Sequence, residues 1–253
     1  MDTRGVLLDL GGVLYVGEEP ISGAVDAVER LRAAGLPLRL LTNTTRRTRQ
    51  QVHEKLRRLG FEVDETEIVT APVAVRSHLR AEGLRPMLLI HPDLEPEFAD
   101  VDQRDPNVVV LGDAGEGFTY AALNRAFRLL MEGAPLVSMG ANRYFREADG
   151  LSLDLGPFVA ALEFAADTEA EVLGKPAAAA FLRCVEEFGC APRKCVMIGD
   201  DVASDVLGAL DAGLQGILVQ TGKYRDGDED ALSDRPEART VTDVSAAIDA
   251  ILG

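Results

Sequence analysis

The sequence lacks any apolar run close to the roughly 20 residues that a membrane-spanning helix requires. It also lacks a basic N-terminal segment followed by a cleavable apolar core, because the first apolar run, GVLLDL, is interrupted by Asp9. No low-complexity tract is present, and 47% of the 253 residues are hydrophobic while 27% are charged. This composition predicts a globular protein with a full core, and argues against disordered and membrane classes. The cysteine usage described next predicts a cytoplasmic location.

Cysteine and positive charge are both scarce. The three cysteines, Cys184, Cys190 and Cys195, are an odd number without metal-like pairing, so we expect reduced thiols and no zinc or redox site. Lys and Arg number 26 against 42 Asp and Glu, which gives a net charge of −16 with His neutral. Such a surface repels nucleic acid and anionic membranes, so we expect neither as a partner. An anionic substrate must instead be attracted by local positive groups.

Short apolar runs alternate with segments of helical periodicity along almost the whole chain. The apolar runs are GVLLDL, LPLRLLTN, MLLIH, NVVVLGD, PLVSMG, AEVLG, CVMIGD and GILVQTG. Alternation of helices with fully apolar strands predicts an α/β fold with parallel sheets that are covered on both faces. Ligands bind such sheets beyond the carboxyl ends of the strands. The residues that follow each strand are therefore the first candidates for function.

Four strand ends carry polar residues that form a chemical set. Carboxylates, a hydroxyl and an ammonium group would meet at one rim if these strands share a sheet. In chain order the candidates are Asp9, Thr42, Asn43, Lys175, Asp200, Asp201 and Asp205.

Each of these residues also has a structural explanation when taken alone. Asp9 could cap a loop, Thr42 could cap the next helix, Lys175 could be a solvated charge, and Asp201 could stabilise a helix N-terminus. The occurrence of all of them in this order favours a functional site.

The chain between the second and third strand ends is too long for one crossover. About 130 residues separate Asn43 from Lys175, and they contain their own strands and helices. We therefore predict a discontinuous core domain over 1–72 and 174–253, with a second α/β domain inserted over 73–173.

Four motifs give the chain a family resemblance. LLDLGGVLY, LLTN, GKP and MIGDDVASD occur in the order found in phosphatases of the haloacid dehalogenase (HAD) superfamily, which this chain resembles. The insertion between the second and third motifs is similar to that of subfamily IIA, the nitrophenyl-phosphatase-like group with a large C2-type α/β cap. Segments such as VMIGDDVASDV and QTGKYRDGDED are similar to the branch of phospholysine phosphohistidine inorganic pyrophosphate phosphatases and their hydrolase-domain-containing relatives.

The resemblance implies a Rossmann-like core, a small phosphorylated substrate and Mg²⁺ as the cofactor. It assigns Asp9 as the nucleophile that forms an aspartyl-phosphate. Asp9, Asp200 and the backbone carbonyl of Gly11 would bind the metal, which suits the preference of Mg²⁺ for oxygen ligands. A homodimer formed through the cap is a further implication.

The remaining motif residues receive supporting roles from the same resemblance. Thr42 would donate its hydroxyl to a phosphate oxygen, beside the backbone N–H of Asn43. Lys175 would neutralise the phosphate and the nucleophile as a catalytic and phosphate-binding point charge. Asp205 and Asp201 would organise the metal waters or hold the lysine from outside the ligand shell.

Position 11 departs from the superfamily pattern D-x-D-G, in which the second aspartate is a general acid and later a general base. Here Gly11 retains the carbonyl that a metal needs but has no side chain to carry a proton, and Gly12 follows as the tight-turn residue. Positioned acid–base help contributes about 10²–10⁴-fold to a rate. We therefore expect slow hydrolysis of alkyl phosphate esters and faster hydrolysis of phosphoramidates, pyrophosphate and nitrophenyl phosphate.

The sequence also suggests specificity residues in the inserted domain, and two alternative functions have to be weighed against a phosphatase. Asn142, Arg143 and Tyr144, with the DGLSLDLG turn that contains Asp154, are either specificity groups or ordinary surface loops. Gly11 alone favours a catalytically inactive phosphate-binding or regulatory protein. A nucleotide-dependent oxidoreductase is disfavoured because no G-x-G-x-x-G follows the first strand.

Overall fold

The computed structural model describes residues 3–147 and 150–253, and these form two compact units. The first unit comprises the chain up to Thr42, Gln50–Val69 and Lys175–Gly253; the second comprises Asn43–Arg49 and Thr70–Gly174. The segment 43–49 thus groups with the second unit, whereas the sequence-based division assigns it to the core. Each unit has its own sheet and its own core.

The elements alternate as the sequence pattern indicates. The strands are β1 (Gly5–Leu8), β2 (Tyr15–Val16), β3 (Glu19–Pro20), β4 (Leu38–Thr42), β5 (Ile68–Thr70), β6 (Pro86–Leu89), β7 (Val108–Leu111), β8 (Leu136–Ser138), β9 (Tyr144–Glu147), β10 (Gly150–Leu153), β11 (Ala170–Val172), β12 (Cys195–Gly199), β13 (Gln215–Val219) and β14 (Ala238–Val241). The α-helices are α1 (Ala24–Ala33), α2 (Arg49–Arg58), α3 (Ala71–Ala81), α4 (Tyr120–Met131), α5 (Gly156–Ala166), α6 (Ala178–Phe188), α7 (Gly208–Asp211) and α8 (Val244–Leu252). A π-helical segment, Val202–Leu207, runs directly into α7.

The first unit contains a six-stranded sheet in the order β14-β13-β12-β1-β4-β5. The pairs from β14 to β4 are parallel, and β1 lies between β12 and β4. Successive residues of β1 point to opposite faces, so Leu8 packs in the cluster that contains α1 and α8, while Leu7 packs in the cluster that contains α6. Burial on both faces explains why the strands are apolar without alternation.

The second unit contains a four-stranded parallel sheet in the order β11-β8-β7-β6. Val108 and Val110 of β7 pack with α3 on one face, and Val109 and Leu111 pack with α4 and α5 on the other. The strands β9 and β10 pair antiparallel in the same unit. The predicted α/β class with parallel sheets is therefore confirmed.

The helices of the described residues are short. The longest, α4, has 12 residues, and none is both long and apolar enough to cross a membrane.

Candidate active site

Two aspartates lie at the carboxyl ends of adjacent central strands. Asp9 follows β1 directly and Asp200 follows β12, and the two strands are paired in parallel with Leu8 opposite Ile198. The backbone N–H of Asp9 donates to the carbonyl of Ile198 at 2.9 Å, so the strand pairing continues up to the nucleophile candidate. Both carboxylates are almost fully buried, with exposures of 8% for Asp9 and 2% for Asp200. They emerge at the same edge of the sheet because parallel strands end on the same side.

Lys175 joins this edge from the third stretch of the first unit. Its Nζ donates to Asp9 Oδ1 at 2.6 Å and forms an ion pair with Asp205 Oδ1 at 2.7 Å, although 166 residues separate Lys175 from Asp9. Asp205 lies on the π-helical segment and is 1% exposed, and Lys175 is 2% exposed. A buried ammonium between two carboxylates holds both of them in fixed orientations.

The buried charges perturb one another. Burial lowers the pKa of Lys175, but the carboxylates of Asp205 and Asp9 outweigh it and leave that pKa above its usual value. Burial, reinforced by the charge of Asp9, raises the pKa of Asp200 to about 7. Burial also raises the pKa of Asp205 to about 6, with Lys175 opposing the shift. The ammonium of Lys175 therefore does not offset the effects of burial and mutual repulsion on Asp200 and Asp205.

The donor set of this cluster fits a hard divalent cation. Asp9, Asp200 and Asp205 each offer a carboxylate oxygen, and these oxygens lie within 4.8 Å of one another in buried surroundings. Mg²⁺ takes oxygen ligands and usually keeps several waters, so a few converging carboxylates suffice to hold it. An additional positive charge would also relieve the raised pKa values of Asp200 and Asp205.

The other predicted residues lie at or near the same edge. Asp201 caps the π-helical segment, since its Oδ1 accepts from the backbone N–H groups of Ala203 and Ser204 at 3.1 and 3.0 Å. Its backbone N–H donates to Asp205 Oδ2 at 3.2 Å, so its contribution to the cluster is through the backbone. Thr42 is the last residue of β4, the neighbour of β1.

Gly11 and Asn43 complete the predicted set. Gly11 forms a bridge with Tyr15 and is exposed. A Cβ placed on it would have no atom within 4 Å, so nothing in the described structure fills the position of the missing side chain. Asn43 follows Thr42 in the chain but groups with the second unit.

The loop after β13 contains site residues that the sequence analysis missed. The backbone N–H of Lys223 donates to Asp200 Oδ2 at 2.7 Å, and the Thr221 hydroxyl donates to the carbonyl of Gly12. The Nζ of Lys223 lies 3.5 Å from Asp201 Oδ2. The same strand-end rule, applied to GILVQTGK, could have found this loop, because β13 pairs directly with β12.

In the second unit, the predicted specificity residues are only partly brought together. Asp154 is 9% exposed; burial raises its pKa, while the Leu155 backbone N–H and the Asn142 side chain donate to it and oppose the shift. Arg143 is exposed and Tyr144 is 55% exposed. The start of the predicted DGLSLDLG turn, at Asp149, lies outside the described residues.

Comparison with known proteins assigns the chain to a family. The profile of haloacid dehalogenase-like hydrolases matches residues 6–104, and a HAD-hydrolase-like profile matches residues 172–247. Haloacid dehalogenase-like hydrolase domain-containing protein 2 of Homo sapiens is 47% identical, over 92% of this chain and 90% of its own length. Phospholysine phosphohistidine inorganic pyrophosphate phosphatase of Xenopus laevis is 48% identical, over 89% of this chain and 86% of its own length. The chain belongs to the haloacid dehalogenase-like hydrolases, and the predicted branch is confirmed.

Solved structures agree with this assignment over nearly the full length. A 4-nitrophenylphosphatase from Thermotoga maritima superposes with a TM-score of 0.89 at 25% identity, covering 99% of this chain and 98% of its own. A glycerol phosphate phosphatase from Mycobacterium tuberculosis in complex with magnesium has a TM-score of 0.81 at 26% identity, covering 96% of this chain and 76% of its own. The fold is therefore that of HAD-type phosphatases.

Proposed function

We propose that this chain is a Mg²⁺-dependent phosphatase that hydrolyses small phosphorylated substrates through an aspartyl-phosphate on Asp9. The observation that carries the proposal is the buried cluster in which Lys175 holds Asp9 while Asp200 and Asp205 complete a set of converging carboxylate oxygens. The phosphatase names of its relatives, and the magnesium in the Mycobacterium tuberculosis structure, support the same assignment.

Asp9 performs the covalent chemistry. A carboxylate oxygen of Asp9 attacks phosphorus and forms an O–P bond while the bond to the leaving group breaks and the leaving group takes the electron pair. A water then attacks the phosphorus and the bond between phosphorus and the Asp9 oxygen breaks, which releases inorganic phosphate, returns one proton from the water to solvent and restores the carboxylate. The 2.6 Å contact with Lys175 fixes the direction of the Asp9 carboxylate.

The other residues of the site would hold the metal ion and bind the phosphate. Asp9, Asp200 and the carbonyl of Gly11 would hold Mg²⁺, with Asp205 and Asp201 outside the ligand shell. The ion, when bound, would offset the repulsion between the anionic nucleophile and the anionic phosphate. Thr42 and the backbone N–H of Asn43 would donate hydrogen bonds to phosphate oxygens.

Gly11 selects the substrate class in this proposal. Because it has no side chain to protonate a leaving group, alkoxide leaving groups are disfavoured and more labile phosphoryl compounds are preferred. Phosphoramidates, pyrophosphate and nitrophenyl phosphate belong to the preferred class.

The proposal is tested by release of nitrophenol from nitrophenyl phosphate in the presence of Mg²⁺. Asp9→Asn is expected to abolish the activity because an amide is not a nucleophile. Asp249→Asn makes the same change at an exposed site on α8 and should leave the rate unchanged. Full activity in a folded Asp9→Asn variant would contradict the proposal.

One observation favours a second candidate, a phosphate-binding or regulatory protein without turnover. Gly11 has no side chain that could protonate a leaving group. The two candidates differ in one measurement. A chain that binds inorganic phosphate in calorimetry but releases no phosphate from any of the three preferred substrates would be the binding protein.

We propose further that the second unit, predicted over 73–173, is a cap domain that determines substrate selectivity. Its candidate residues are Asn142, Arg143, Tyr144 and Asp154. Of these, Asn142 and Asp154 contact each other within the unit.

A further inference from the structure

The loop that follows β13 encloses one oxygen of Asp200. Oδ2 accepts the backbone N–H of Lys223 at 2.7 Å, and the preceding residue, Gly222, lies against Gly12 of the loop after β1. The Thr221 hydroxyl donates to the carbonyl of Gly12 and so ties the two loops together. These contacts lie within the first unit, on the side of Asp200 where β13 pairs with β12.

Both glycines at this contact are required by geometry. Gly12 has φ 84° and Gly222 has φ 63°, values that side-chain-bearing residues rarely adopt. A Cβ on Gly12 would lie 1.9 Å from Asp200 Oδ2, and a Cβ on Gly222 would lie 2.1 Å from the same atom and 2.4 Å from the Cα of Gly12. The carboxylate oxygen of Asp200 thus occupies the space that two missing side chains leave.

We propose that Thr221, Gly222 and Lys223 form a positioning element of the cation site, which holds the Asp200 carboxylate by Oδ2 and so fixes the orientation in which it would bind Mg²⁺. The inference rests on the proposed function and adds the loop to it. Mg²⁺ demands near-ideal octahedral geometry, so a carboxylate with a freely rotating head would bind it poorly. Loss of a partner that orients a metal ligand typically lowers metal affinity by about 10–100-fold.

Gly222→Ala is the direct test, with Gly227→Ala as its matched control. Gly227 lies in the same loop region with φ 97°, but its Cβ would meet only Asp230 Oδ2 at 3.9 Å. Both variants therefore carry the strain of alanine in a left-handed conformation, and only Gly222→Ala also displaces Asp200. Mg²⁺ binding to the full chain, measured by isothermal titration calorimetry, is expected to weaken by about 10–100-fold in Gly222→Ala and by less than about twofold in Gly227→Ala.

Thr221 provides a second variant that adds no bulk. Thr221→Val removes the hydroxyl that holds the Gly12 carbonyl and should weaken Mg²⁺ binding, whereas Thr221→Ser should restore it. Mg²⁺ affinity equal to that of the unchanged chain in Gly222→Ala, or in Thr221→Val where Gly222→Ala does not fold, overturns the positioning role while the phosphatase proposal stands. Absence of both Mg²⁺ binding and phosphatase activity in the unchanged chain would instead refute the proposed function.

A separate observation concerns two cysteines at the opposite end of β12. The Sγ atoms of Cys190 and Cys195 lie 3.3 Å apart, with Cys190 partly exposed and Cys195 buried at the first residue of the strand. The third thiol, Cys184, is buried and donates to the carbonyl of Ala180. Burial raises the pKa of Cys195 and of Cys184 to about 12. Cys190 is therefore the thiol that a solvent-borne oxidant reaches first.

Contrary to the sequence-based expectation of no redox site, we infer that hydrogen peroxide forms a disulfide between Cys190 and Cys195. Cys190 loses its thiol proton and its sulfur attacks one oxygen of hydrogen peroxide, so that the O–O bond breaks and a sulfenic acid forms. The departing hydroxide takes up a proton and leaves as the first water. The thiol of Cys195 then attacks the Cys190 sulfur, the second water leaves, and an S–S bond remains. Two thiols are oxidised and one peroxide is reduced to two waters.

The sequence between the two cysteines makes the product easy to identify. Arg193 and Lys194 separate them, so trypsin cleaves between the cysteines and only a disulfide keeps the two peptides linked. After peroxide treatment of the full chain, mass spectrometry should show the linked peptides, with a thiol titre that falls from three to one. Cys184→Ser should still form the link and Cys190→Ser should not. A titre that stays at three, or a link that involves Cys184, overturns the assignment.

Discussion

Restoring a carboxyl group at position 11 is expected to raise the turnover of alkyl phosphates. The backbone accepts the change: Gly11 is outside the left-handed region, and a Cβ on it would have open space for 4 Å. Gly11→Asp should therefore fold without a steric penalty. The new carboxyl would supply the proton that an alkoxide leaving group needs, and a gain of about 10²-fold corresponds to roughly 2.7 kcal/mol of barrier.

The substrates and the control separate proton donation from other effects. The value of kcat/KM should rise by about 10²-fold for an alkyl phosphate and by less than about tenfold for nitrophenyl phosphate, because nitrophenolate leaves without a proton. Gly11→Asn has a similar shape but no acid, so it should leave both values near those of the unchanged chain. A folded Gly11→Asp variant with unchanged alkyl phosphate turnover, or an equal gain in Gly11→Asn, would refute the reasoning.

Three further predictions concern the remaining groups of the site. Lys175→Met should lower the free energy of unfolding in urea by about 3–5 kcal/mol, because Asp9 and Asp205 lose the cation they share. Adding Asp205→Asn should recover part of the loss. If the two substitutions instead change the free energy of unfolding additively, the pairing is contradicted. Thr42→Val should raise the KM for nitrophenyl phosphate by about 10–100-fold, since a hydrogen bond to a charged group contributes about 1.5–3 kcal/mol, while calorimetry should show unchanged Mg²⁺ affinity. Mg²⁺ at 100 times its Kd should raise the free energy of unfolding by about 2.7 kcal/mol, and EDTA should reverse the gain; identical melting curves would argue against a cation site.

The fold and the central acids follow from sequence rules that act locally. Asp9 and Asp200 can be placed at one edge because each ends a fully apolar strand, and parallel strands end on the same side. The catalytic and metal-binding roles of Asp9 and Asp200 remain predictions, because the positions of the two carboxylates do not test their chemistry.

Contacts between distant side chains could not be predicted in the same way. The contact between Asp205 and Lys175 is one of two roles that the family resemblance implies for Asp205, but no periodicity in VASDVL indicates the π-helical segment that carries this aspartate. Thr221 and Gly222 look like ordinary turn residues, and only the approach of the two loops shows that they enclose Asp200. Asn43 groups with the second unit because of tertiary contacts, although the motif that contains it begins in β4.

The central place of β1 in its sheet has a consequence for synthesis on the ribosome. β1 pairs with β4 on one edge. Its other edge pairs with β12, with Gly5 opposite Cys195, and therefore has no partner until β12 has been synthesised. At 5–20 residues per second, the roughly 190 intervening residues take about 10–40 s to make. During that interval an apolar strand edge is exposed in the nascent chain, while the second unit, whose core is already complete, can fold. The nascent chain thus exposes this edge until β12 has been made, and Asp9 and Asp200, the acids that follow β1 and β12, come together only after that point.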